Sequence, residues 1–107
     1  MNLGTDLSQA ELADVLQGLA GHYPRPALSQ SATNRVVLDW LEDLQGATLP
    51  MLEDAVRRYR RDDANRFFPT SGALLALMRG DIRERHADKL ALDTAIALID
   101  EALHGPA

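Results

Sequence analysis

The chain has 107 residues, of which 46% are hydrophobic, 25% charged and 5% aromatic, and it contains no cysteine. That length suits one domain with its own core, and the lack of cysteine excludes disulfides, thiolate metal sites and thiol nucleophiles while fitting a reducing compartment. No run approaches the roughly 18 consecutive apolar residues of a membrane span, and the opening MNLGTDLSQAELADV has no basic segment followed by an apolar one, so a soluble cytoplasmic protein is expected.

The net charge of −5 is unevenly spread. Residues 1–56 carry two bases against eight acids, and residues 57–89 carry nine bases against five acids. Residues 90–107 carry three acids and no base. Such asymmetry points to charged partners rather than to a fold.

The first helix is predicted over 8–22. Ser8 and Glu11 have the spacing of a capping box, with Leu7 and Leu12 placed as a hydrophobic staple. Leu12, Val15, Leu16, Leu19 and Tyr23 form one helical stripe. Gly21 and the Pro24-Arg25-Pro26 run end it, because proline lacks a donor and restricts its predecessor.

A loop from Pro24 to about Ser31 leads to a second helix with Val36, Val37, Trp40, Leu41 and Leu44 on one face. Gly46 suits the left-handed residue that follows a helix end. Thr48 can cap a third helix, with Pro50 in its first turn and Leu52, Ala55, Val56 and Tyr59 along its stripe. The connection is short, so helices two and three are expected to pair as an antiparallel hairpin.

Residues 60–66 are polar, and Phe67-Phe68-Pro69-Thr70 follows as an extended loop, since Pro69 excludes Phe68 from the helical region. Trp40 and Phe67 are expected in one core, with Phe68 the more exposed phenylalanine. Thr70 or Ser71 can cap a fourth helix carrying Leu74, Leu77 and Met78, which Gly80 can end or bend. Residues 79–89 are charged and almost without apolar side chains. Leu92, Ala95, Ile96, Ile99 and Leu103 then form a last stripe, until Gly105-Pro106 stops it. No period-2 alternation is present. The expectation is a small all-α bundle of four to five helices, with a helical core over 1–80 and a charged linker plus amphipathic helix over 81–107.

Nothing in the chain assembles a catalytic centre. His22, His86 and His104 lack ligand spacing, so no metal is expected. The adjacent carboxylate pairs, such as Glu42/Asp43 and Asp100/Glu101, diverge by about 100° on a helix and do not converge for acid–base chemistry. No glycine-rich loop offers a phosphate cradle, and no cofactor is implied.

Two segments point to binding. Arg57, Arg58, Arg60, Arg61 and Arg66 fall within ten residues and either contact nucleic-acid phosphates or pair with Glu53, Asp54, Asp62 and Asp63. Leu92, Ile96, Ile99 and Leu103 either complete the core or dock on a second protein or another copy of the chain.

The segment from Trp40 to Leu75 carries a helix centred on Val37, Trp40, Leu41 and Leu44, then Ala55 and Tyr59, a polar loop, and Phe67 to Thr70 opening the next helix. In this it resembles the small helical domain of phage replisome organisers, the loader-and-inhibitor proteins of replicative helicases. Tyr23-Pro24 matches the break after their first helix, and Thr70 stands where a second proline is common. Trp40, Tyr59, Phe67, Phe68 and Pro69 match as scaffold residues, and no helicase contact transfers. The resemblance implies a non-enzymatic adaptor that binds a replicative DNA helicase, loads or inhibits it, and contacts its partner through Arg79 to His104. The alternative is a helical interaction or nucleic-acid-binding regulator unrelated to replication.

Overall fold

The computed structural model describes residues 4–23 and 29–104. Four helices occupy them: α1 (Gln9–Ala20), α2 (Gln30–Asp43), α3 (Leu49–Arg61) and α4 (Ser71–His104). No strand occurs among the described residues. The all-α bundle is thus as expected, with four helices. The Pro24-Arg25-Pro26 break, the loop through residue 28 and the Gly105-Pro106 stop lie outside the described residues.

Local chemistry accounts for where these helices begin. Ser8 Oγ accepts from the Glu11 amide at 3.1 Å, and Glu11 Oε1 accepts from the Ser8 amide at 2.9 Å, which closes the capping box. Ser29 Oγ accepts from Ala32 N–H, and Thr70 Oγ1 from Ala73 N–H, each satisfying an amide that has no partner within its helix. Thr48 precedes α3 without a side-chain cap, and Pro50 fills the first turn, where its missing donor costs nothing.

The helices pack in a closed cycle: α1 lies against α2 and α3, and α4 against the same two. The expected hairpin of α2 and α3 does not form, because these two sit diagonally across the bundle with no close backbone approach. Their connection is claimed by other segments instead. Leu7 N–H donates to the Ala47 carbonyl, and α4 comes so near Gly46 that a Cβ there would lie 3.1 Å from Ile82 Cγ2. Gly46 also has φ +91°, a region costly for residues with a side chain.

Leu12, Leu19, Leu44, Leu52, Leu74 and Met78 are the largest fully buried side chains. Trp40 is half-buried and meets Phe68 edge-on, with ring centroids 6.3 Å apart. Phe67 is 80% exposed, so the expected assignment of the two phenylalanines is reversed. In this non-helical stretch successive side chains point apart, and only one can face inward. Phe68 takes the inward place against Trp40, and Phe67 is left facing water.

α4 is one 34-residue helix, not two helices joined by a linker. Gly80 remains inside it, a tolerable cost of about 1 kcal/mol relative to alanine. The Arg, Glu, Ala and Lys residues of 83–89 are good helix formers, so the stretch read as a linker is helical and residue 80 marks no break in the chain's course.

Within that stretch Arg85 is 5% exposed. Its Nη1 donates to the Gly46 carbonyl at 3.1 Å and its Nη2 to the Gly4 carbonyl at 2.6 Å. Nη2 also lies 2.8 Å from Asp6 Oδ1, while Nε is buried without a partner. Arg85→Ala removes charge-assisted bonds and leaves two carbonyls unpaired, so it is expected to cost about 2–4 kcal/mol. A shift in the urea midpoint measures this. Arg85→Lys should recover only part of the loss, because an ammonium lacks the guanidinium fork.

Candidate functional site

α4 outruns the bundle. Its early turns contribute buried Leu74 and Met78 to the core, yet residues 89–104 are exposed throughout. Met78, Ile82, Arg85, Lys89, Leu92, Ile96, Ile99 and Leu103 alternate at spacings of four and three, the periodicity of a helix–helix seam. The inner members Met78, Ile82 and Arg85 face the core, and Lys89 is exposed where it ends. The outer members Leu92, Ile96, Ile99 and Leu103 are 40%, 55%, 60% and 74% exposed.

The last stripe therefore does not complete the core. Ala95 lies on the same face, and exposed Leu98 widens it. Leu98 was legible as a residue at the edge of the stripe, though the five-residue pattern omitted it. Asp93 and Asp100 border the stripe and Glu101 lies opposite it, with Asp100 Oδ1 3.7 Å from His104 Nε2.

The arginine segment divides. Arg58 Nε sits 3.1 Å from Asp54 Oδ2, and its Nη2 donates to the Leu77 carbonyl, so this residue ties α3 to α4. Arg57 reaches Asp54 only at 3.8 Å. Arg60, Arg61 and Arg66 are exposed and form no ion pair among the described residues. Among the described residues the ion-pair partner is Asp54. Glu53 forms no ion pair within the described residues, and Asp62 Oδ1 accepts from the Ala64 amide instead.

Arg57, Arg60 and Arg61 gather with His22 and Tyr23 around an open cleft of about 450 Å3 between the end of α1 and the end of α3. Tyr23 meets Tyr59 with ring centroids 5.8 Å apart. The Tyr59 hydroxyl donates to the Phe67 carbonyl at 2.8 Å. Burial pushes that hydroxyl above the ordinary tyrosine range, and Tyr23 adds to the shift, so Tyr59 keeps the proton it donates.

No three of His, Asp and Glu gather to hold a metal among the described residues, and none of the described helices is long and apolar enough to cross a membrane. Comparison with protein-family models, curated proteins and solved structures finds no match.

The two phenylalanines should respond oppositely to truncation. Phe68→Ala empties a half-buried site against Trp40 and is expected to cost about 2–3 kcal/mol. Phe67→Ala should stay within about 0.5 kcal/mol of the parent. Paired thermal melts distinguish them.

Proposed function

We propose that the chain is a non-catalytic helical adaptor that docks the outer face of α4 on a protein partner. The observation behind this reading is the exposure of Leu92, Ile96, Ile99 and Leu103 on a helix already formed. A preformed helix avoids the entropy of folding on contact, and its apolar stripe suits a hydrophobic groove. Acids flank that stripe and no base follows residue 89, so the fitting groove has a basic rim. On the resemblance of the Trp40–Leu75 segment, the partner to examine is a cytoplasmic replicative DNA helicase, which the adaptor loads or inhibits.

The test is calorimetric titration of a replicative helicase with the full chain and with an Ile96→Glu/Ile99→Glu variant. Each isoleucine buried in a groove is worth about 1.5–3 kcal/mol, so the double variant should bind at least 100-fold more weakly. Both positions are exposed, so its melting temperature should be nearly unchanged. Parental affinity in the variant removes the α4 face from the interaction. A wild-type chain that ignores the helicase removes that partner, and dissociation of a concentration-dependent dimer by the same substitutions assigns the face to a second copy.

A further inference from the structure

The opposite end of the molecule carries a second surface that adaptor docking does not use. Arg57, Arg60 and Arg61 converge on the cleft with His22, and Arg66 adjoins Phe67 on the loop after α3. The acids nearest in the chain are Glu53, Asp54, Asp62 and Asp63, of which Asp54 is engaged by Arg57 and Arg58. Cations in the last turn of α3 complement its dipole, but that accounts for neither Arg57, which lies earlier, nor Arg66, which lies beyond the helix.

Phe67 is the independent observation. An 80% exposed phenyl ring adds little to the core, yet its backbone is held. The Tyr59 hydroxyl binds its carbonyl, Phe68 packs on Trp40, and Pro69 is buried. Tyr59 in turn stacks edge-on against Tyr23 of the arginine cleft. The ring is thus presented to solvent at the same end as Arg60, Arg61 and Arg66, which form no ion pair among the described residues.

A presented aromatic beside a row of cations is the chemistry that grips a single strand, with phosphates on the cations and a base on the ring. A duplex hides its base faces, and the exposed end of α4, residues 90–104, carries three acids and no Lys or Arg, the wrong charge for a duplex groove. We propose that the end of the bundle formed by His22, Arg57, Arg60, Arg61, Arg66 and Phe67 binds single-stranded nucleic acid, phosphates on the arginines and a base stacked on Phe67.

The probes are fluorescein-labelled oligonucleotides dT20 and rU20 and a 20-bp duplex, titrated with the full chain by anisotropy from 50 to 200 mM NaCl. Both single strands offer phosphates and bases, and binding of either supports the proposal. Phe67→Ala should weaken single-strand binding about tenfold or more. Arg57→Gln/Arg60→Gln/Arg61→Gln should lower the slope of log affinity against log salt by about 2, since each phosphate contact on a single strand contributes about 0.7. The Phe67→Ala melt should match the parent, and the arginine variant should stay folded and melt only slightly lower, because its side chains are exposed and contribute mainly to the α3 dipole. Failure of the parent to bind either single strand at 50 mM NaCl overturns the proposal, as does parental affinity in Phe67→Ala or an unchanged salt slope in the arginine variant. Tighter binding to the duplex also overturns it.

Discussion

Three pieces of backbone with no regular structure in common meet at the guanidinium of Arg85: the segment before α1, the α2–α3 connection and the middle of α4. A buried cation is expensive unless oxygen surrounds it, and here two carbonyls and a carboxylate supply that oxygen. The bond to Gly4 joins residues 81 apart in sequence, so it closes a loop that the apolar contacts alone would leave looser. Gly46 makes the arrangement possible twice over. Its left-handed backbone places the carbonyl it offers, and its missing Cβ lets Ile82 come close.

Holding Arg85 also sets the rotation of α4. Leu92 and Ile99 follow Arg85 at seven-residue intervals, so they share its side of the helix. Whether that side is covered depends on length. α2 and α3 have 14 and 13 residues, about 20 Å each, while α4 has 34, about 51 Å. The shorter helices cover the seam as far as Arg85 and then end. The apolar face beyond is the core seam continued past the elements that bury it, which is why it is both well ordered in register and bare.

Features set by near neighbours in the chain were legible from sequence. The Ser8–Glu11 box, the leucine stripe of α1 and the special backbone of Gly46 need only a few residues to specify them. The exposed stripe of α4 was equally visible, and only its fate was open. Features decided between elements were not legible. The diagonal placement of α2 and α3 depends on α4 taking the place between them, and the choice between Phe67 and Phe68 depends on which ring meets Trp40 of α2. Arg85 lay hidden in a stretch whose charge suggested a solvated linker, because hydropathy alone does not distinguish an arginine facing water from one facing carbonyls. Gly80 does not break α4, because its modest helix cost is offset once the helix has a core to pack on. The arginine cluster was visible as composition, but its division between Arg58, which reaches across to α4, and three neighbours around the cleft follows from the rotation of α3.

The two proposed surfaces are far enough apart to act independently. Arg58 marks the level of the arginine end by binding the Leu77 carbonyl, while the bare seam begins at Leu92 and continues to Leu103. At 1.5 Å per residue these lie about 22 to 39 Å further along α4, several times the roughly 8 Å screening length at physiological salt. The acids beside the seam therefore do little to repel a strand held at the arginine end, and the arginines do little to attract whatever meets the seam. Because α4 is one unbroken helix, the spacing between the surfaces is set by its rise per residue rather than by a flexible linker. A partner on the tail and a strand on the bundle would be held at a nearly constant separation, which is the geometry by which an adaptor presents one ligand to another.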